Sequence, residues 1–200
     1  MHKSKTDNIL VTVIIVNYNV YEDIKACIGS IIENTKDINY EIIVVDNAST
    51  ERDIDGIKKL FPDVVYHPLD KNHGFGYANN RGMEIARGEY ILLMNPDIIL
   101  TDGSISILLD YIESNKDVGA VGPIQTKPGV GIERYYCFFP TVYSRFMQEF
   151  GMYTSAPGMK ERFNDFWDTK IADGQPFDVD WIIGSCLLIR KQIFTDSGGF

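Results

Sequence analysis

A chain of 200 residues with 44% hydrophobic composition can bury one sizeable core, which excludes a disordered or fibrous protein and makes a single elaborated domain the default. With 19 basic against 28 acidic residues the net charge is −9, which argues against nucleic acid as a partner; a diphosphate ligand would need a metal or a locally basic loop. Cys27, Cys137 and Cys186 are odd in number and widely spaced, which excludes a zinc knuckle or a disulfide scaffold and fits a reducing cytosol.

The first eight residues are polar, and the apolar run behind them is too short for a signal peptide. No stretch approaches the roughly 20 apolar residues of a membrane span, which leaves peripheral attachment as the only membrane contact expected. Leu10 to Val16 is rich in Val and Ile, as a parallel strand covered on both faces should be. Asn19, with Glu22 three positions on, predicts a capped helix whose Ile24, Cys27, Ile28, Ile31 and Ile32 cover the sheet. A second strand, 41–45, ends in Asp46. Thr50 and Asp53 then predict the start of a short helix carrying Ile54, Ile57, Leu60 and Phe61, closed by Pro62. Val64 to Tyr66 reads as a short strand, Gly74 to Ala86 as a helix, Gly88 as a break, and 90–94 as a strand completing a fourth βα unit. Beyond it come a helix with Ile105, Leu108, Leu109 and Ile112 and a strand over Val118–Val121. The expected fold class is α/β, an open and mainly parallel sheet flanked by helices.

The character changes after Pro123. Residues 127–176 are rich in Gly, Pro and aromatics, among them Tyr135, Tyr136, Phe138, Phe139, Phe163, Phe166 and Trp167, as in lids, partner surfaces or a satellite core under a long loop. Order returns at 177–184 and in the strand 186–190. The expected organisation is a ligand-binding α/β region over 1–123 and a second region over 124–200 packed on the same domain.

Two acids stand at strand ends, where open α/β sheets keep their chemistry. Pro96 biases Asn95 toward extended backbone and leaves Asp97 on an exposed turn, suited to a hard divalent cation that also binds phosphate oxygens; the competing reading is a cap for the next turn. Asp46 could accept hydrogen bonds from a ribose or a base, although Asp-Asn-Ala-Ser is also an ordinary turn sequence. Asp46 and Asp97 are expected to share one cleft. In Lys71–Asn80 two glycines let the backbone approach an anion at a helix N-terminus, and Lys71 and His73 add local positive character. The dinucleotide fingerprint and the P-loop are both absent, which disfavours a dehydrogenase or P-loop enzyme.

Val13-Ile14-Ile15-Val16-Asn17-Tyr18-Asn19, Val44-Val45-Asp46-Asn47-Ala48-Ser49-Thr50, Asn72-His73-Gly74-Phe75-Gly76-Tyr77-Ala78-Asn79-Asn80 and Leu92-Leu93-Met94-Asn95-Pro96-Asp97 follow one another as the motifs of family 2 glycosyltransferases do. Trp181–Arg190 and Gly198-Gly199-Phe200 extend the likeness. The chain therefore resembles that family, with its GT-A fold, and within it the rhamnosyltransferase-like branch. The resemblance implies transfer of a sugar from a nucleoside diphosphate sugar to a hydroxyl of a glycan or lipid-linked acceptor, with inversion, in the cytoplasm or at the inner face of the membrane. It implies a nucleotide site at Val16, Tyr18, Asp46, Asn72, Gly74, Asn79 and Asn95, with Tyr18 beside the base, and a cation, Mn²⁺ or Mg²⁺, at Asp97. Asn95 replaces the first acid of the family's Asp-x-Asp motif, so either the metal rests on Asp97 and diphosphate oxygens or the dependence on metal is weaker.

In the family Gly-Gly-Phe runs on into the acids that supply the base, so the resemblance makes this chain a truncated donor-binding module that binds nucleotide, transfers sugar poorly and self-associates through exposed apolar surface. Asp178 and Asp180 are the nearby acids within the chain. Two other readings remain. A nucleotidyltransferase needs a Gly-rich basic loop after strand one, which Asn17-Tyr18-Asn19-Val20 lacks. A non-catalytic carbohydrate-binding or assembly protein would keep the fold without cation-dependent nucleotide binding.

Overall fold

The computed structural model describes residues 9–50, 54–133, 136–137, 146, 149–150 and 169–200. The expected aromatic positions Tyr135, Phe138, Phe139, Phe163, Phe166 and Trp167, and the capping residue Asp53, lie outside them. The described residues of Met1–Thr126 and Ile183–Phe200 form one compact unit, and those of Lys127–Ile182 form a second.

The first unit is built on β1 (Val11–Asn17), every residue of which is buried. It pairs in parallel with β2 (Tyr40–Asp46) on one side and β4 (Tyr90–Met94) on the other, and β3 (Val65–Pro68) joins β2, also in parallel. Two further strands continue the sheet antiparallel, β5 (Ala120–Val121) and β10 (Cys186–Arg190), giving the order β3-β2-β1-β4-β10-β5. Because β10 lies between β4 and β5, Ile183–Phe200 belongs to the first unit. Elsewhere β6 (Gln125–Lys127) and β7 (Gly131–Glu133) form a two-stranded sheet, and β8 (Tyr136–Cys137) pairs with β9 (Trp181–Ile182).

The period-2 alternation of a strand divides β1 between two cores. Val11, Val13 and Ile15 pack against α1 (Tyr21–Asn34) and α4 (Ser104–Ser114), whose buried stripes are Ile24, Cys27, Ile28 and Ile31, and Ile105, Leu108, Leu109 and Ile112. Ile14 and Val16 face the other way, onto Ala78 and Met83 of α3 (Phe75–Ile85). Each fully buried isoleucine contributes about 1.5–3 kcal/mol of transfer free energy. The short helices α2 (Ile54–Leu60) and α5 (Lys191–Ser197) complete the unit.

Two helix expectations change. Ile32 and Leu60 do not cover the sheet; they are 49% and 61% exposed, at the flank of their stripes, while Ile31 and Ile57 take the inward positions. Asn19 does not cap α1, which starts after Val20 without a side-chain cap bond. Its backbone is left-handed (φ +60°), and its Oδ1 accepts the Thr50 N–H at 2.8 Å, so the amide braces the turn after β2.

At the edge where β1 and β2 begin, a polar knot replaces apolar packing. The Glu41 carboxylate accepts the Thr12 hydroxyl at 2.7 Å, the Arg87 N–H at 2.7 Å and the Arg87 guanidinium at 2.6 Å, while the Gly88 N–H donates to Thr12 Oγ1 at 2.8 Å.

Candidate functional site

The parallel strands β1, β2 and β4 deliver Asn17, Asp46 and the Asn95-Pro96-Asp97 turn to the opposite edge. β1 separates the last two, so by ordinary strand spacing the chains carrying Asp46 and Asp97 run about 10 Å apart.

Asp46 is 2% exposed. Its Oδ1 accepts the Asn17 amide at 2.8 Å and the Ser49 hydroxyl, and Asn17 Nδ2 also donates to Ser49 Oγ at 3.1 Å. Oδ2 is equally buried and accepts no hydrogen bond. Leaving a buried acceptor unmade costs about 1–3 kcal/mol, and more for a charged group, so Oδ2 would gain from a donor supplied by water or a ligand. The next residues fold tightly around it: the Asn47 N–H returns to Asn17 O at 2.8 Å, and Ala48 takes a left-handed φ of +61°.

Asn47 then ties this turn to the loop before α3. Its Nδ2 donates to Asn72 Oδ1 at 2.9 Å, and its Oδ1 accepts the His73 N–H at 3.0 Å. Asn72 Oδ1 also takes the Gly74 N–H at 2.9 Å, so this amide shapes the loop. Gly74 starts α3 at φ +87° with no side-chain cap, which leaves the first N–H groups of the helix for an anion. His73 is turned onto Asp70, 2.9 Å from its carboxylate, and stacks on Tyr77 with centroids 4.3 Å apart. That hydrogen bond holds the Asp70 carboxyl below its ordinary value and offsets the positive character expected of His73.

Across β1, the Asn95 N–H donates to Ser185 O at 2.8 Å, and Asn95 O accepts the Ile98 N–H at 3.2 Å, closing a turn with Pro96 at its favoured second position. Ser185 is itself buried and bonded to Gln125, whose Nε2 lies 2.9 Å from its hydroxyl. Asp97 at the tip is exposed. Among the described residues no three His, Cys, Asp or Glu side chains cluster as metal ligands. A single exposed carboxylate fits a cation that takes its other ligands from phosphate oxygens and water.

Asn72 and Gly74 are tied through Asn47 to the turn that carries Asp46, while Tyr18 follows β1 and Asn95 and Asp97 follow β4 at the same edge of the sheet. Val16 and Asn79 lie beneath them: Val16 is buried in the α3-side core, and Asn79, 1% exposed, donates to Phe75 O at 3.0 Å. Asp178 and Asp180 are exposed residues of the second unit. Sequence reading did not single out Asn17, Asn47 or Ser185. The signal was a polar side chain at each strand end, but its partner is set by sheet register, which no local pattern gives.

A mainly parallel sheet with helices on both faces, extended at one edge by an antiparallel strand, is the architecture of the GT-A fold. The family model for glycosyl transferase family 2 matches residues 12–198, and the chain belongs to that family. It is 27% identical over 179 residues to an N-acetylglucosaminyl-diphospho-decaprenol L-rhamnosyltransferase of Mycobacterium tuberculosis, covering 80% of this chain and 54% of the relative. It is 30% identical over 117 residues to a glucosyl-dolichyl phosphate glucuronosyltransferase of Haloferax volcanii, covering 56% of this chain and 37% of that one. The chain thus spans about half the length, or less, of these relatives. Among solved structures, a mannosyltransferase from Pyrobaculum calidifontis in complex with GDP-Man and Mn²⁺ superposes with a TM-score of 0.66 at 19% identity, over 98% of this chain and 48% of that one. TarS of S. aureus in complex with UDP-GlcNAc gives 0.61 at 16% identity, over 94% and 47%. At such identities the superpositions establish the fold.

Proposed function

We propose that this chain carries the donor site of an inverting glycosyltransferase that moves a sugar from a nucleoside diphosphate sugar to a hydroxyl of a glycan or lipid-linked acceptor. The observation that carries the reading is Asp46 Oδ2, a buried carboxylate oxygen at the end of a parallel strand with no donor among the described residues. An N–H of a base or an O–H of a ribose supplies that donor. Tyr18, 47% exposed, stands one residue beyond Asn17 to flank the base, and the free N–H groups at the start of α3 take the diphosphate.

Asp97 would hold a divalent cation, Mn²⁺ or Mg²⁺, together with diphosphate oxygens, and the cation would offset the negative charge of the leaving group. A carboxylate takes the proton of the attacking hydroxyl. The acceptor class is supported by the names of the lipid-linked relatives and the donor class by the ligands of the two superposed structures. No helix among the described residues is long and apolar enough to cross a membrane. A lipid-linked acceptor would be met at the inner membrane face.

A thermal-shift screen of UDP, GDP and dTDP, each with and without Mn²⁺ or Mg²⁺, tests the reading, since a ligand of the native state raises the apparent melting temperature. One nucleoside diphosphate is expected to stabilise the protein in a cation-dependent way. Asp46→Ala should weaken that ligand by about 10–100-fold while sparing free pyrophosphate, as expected for a hydrogen bond to a charged group. If no nucleoside diphosphate shifts the transition, the donor-site reading fails.

A further inference from the structure

Two glycines turn the chain back at the end of α5. Gly198 and Gly199 both sit in the left-handed region, at φ +83° and +90°, where a side chain is strained. Their N–H groups close on Thr195 O at 3.2 Å and Phe194 O at 3.3 Å, in the manner of a helix C-cap. The reversal carries Phe200 onto α3.

There the Asn80 side chain grips the Phe200 main chain as a neighbouring strand would. Nδ2 donates to Phe200 O at 3.0 Å, and Oδ1 accepts the Phe200 N–H at 3.1 Å. Space for this is reserved on both sides. Gly76, one turn before Asn80 on the same face of α3, would put a methyl 3.2 Å from Phe200 Cβ, and a methyl on Gly199 would lie 3.1 Å from Asn80 Oδ1. Glycine and asparagine are both poor choices for a helix interior. Phe200 keeps 62% of its surface exposed and its ring lies 5.4 Å, tilted, from that of Phe194 in α5, so the paired amide contacts are what tie the segment to α3.

We propose that Gly76 and Asn80 form a seat for the main chain at Phe200, and that Asn80 is thereby a positioning residue for the diphosphate-facing loop 71–75; the second half rests on the donor reading above. α5 follows directly on β10; the residue before that strand, Ser185, holds Asn95, and α3 opens from the loop braced to Asn47. The seat thus connects α3 and α5, the two helices whose chains lead to the strand-end loops on either side of β1.

The test compares wild type, Asn80→Ala and Gly76→Ala in the full-length protein. Amide exchange by mass spectrometry is followed without ligand, and affinities for UDP, GDP, uridine and guanosine are measured with Mn²⁺. Both variants should exchange about tenfold faster over 196–200 and over 74–78, reflecting local opening. Gly76→Ala is the sharper case, because helix propensity alone predicts slower exchange in α3. Both should lose about tenfold in affinity for the nucleoside diphosphate that wild type binds, with the nucleoside unchanged, since the Asp46 turn is not touched.

Unchanged exchange over 196–200 in both variants would overturn the seat. Faster exchange with an unchanged ratio of diphosphate to nucleoside affinity would overturn the positioning role. Wild type that binds none of the four ligands would remove the donor reading and the positioning role together, while the exchange data alone still decide the seat.

Discussion

Asn17 and Asp46 end neighbouring parallel strands in register, and the Asn17 amide donates to Asp46 Oδ1 at 2.8 Å while Oδ2 stays open. Half of a buried carboxylate is thus satisfied by the fold, and the other half accepts no hydrogen bond among the described residues. Asn17→Leu, close in size, removes the inner donor and should cost about 1–3 kcal/mol. Urea unfolding measures it, and an unchanged midpoint with an unchanged slope would show that the pair contributes nothing to the native state.

Asp97 stands on an exposed turn whose backbone is fixed by Ser185 and Ile98, so its carboxylate can be neutralised without disturbing the core. Asp97→Asn should leave the melting temperature of the free protein unchanged and abolish the extra stabilisation that Mn²⁺ adds to nucleoside diphosphate binding. Calorimetric titration giving equal cation-dependent affinities for wild type and variant would remove Asp97 as the metal residue.

Glu41 should be felt in acid. Burial pushes its carboxyl up, but hydrogen bonds from the Arg87 N–H, the Thr12 hydroxyl and the Arg87 guanidinium outweigh it and hold it below its ordinary value. A depressed value in the folded state contributes stability that is present above the unfolded carboxyl's pKa and lost as pH falls through the folded one, so the window is about pH 4.5 and below. Glu41→Gln is expected to be less stable than wild type near neutrality, with the gap closing as the pH drops through that window. Parallel stability curves for the two proteins would reject the assignment.

Cys27 and Cys186 are buried and free, and their thiols are pushed up to about 12, both by burial and Cys27 further by Cys186 and Asp97 nearby. Thiolate is the reactive form, so neither should be alkylated by iodoacetamide at about pH 8 while the protein is folded. Peptide mapping after labelling with and without denaturant reads this out; labelling of either residue in native buffer would contradict the core placement.

The parallel heart of the fold was legible because β1, β2 and β4 are continuous apolar runs and the helices between them show their stripe at helical spacing. Asp46 and the Asn95–Asp97 turn were legible for the same reason, as polar residues directly behind buried strands. Val16 and Asn79 lie in segments that lead to this edge, yet both side chains are buried, Val16 in the α3-side core and Asn79 on the Phe75 carbonyl. That follows from the facing of β1 and α3, which tertiary packing fixes. Asn19 looked like a helix cap because Glu22 follows at capping-box spacing, but Thr50, far along the chain, claims its oxygen. The antiparallel placement of β10 was equally hidden, since nothing in Cys186–Arg190 states which strand it will meet.

That placement has a consequence for how the protein is made. Met94 pairs with Cys186, about ninety residues further along, and β10 also supplies the hydrogen bonds of β5. While the chain emerges at about 5–20 residues per second, β4 waits some seconds with one open edge carrying Ile91, Leu92 and Leu93. An unpaired apolar edge is a template for pairing with another molecule. Nascent-chain yield of this protein should therefore depend on holdase chaperones that shield the β4 edge until the last sheet strand arrives.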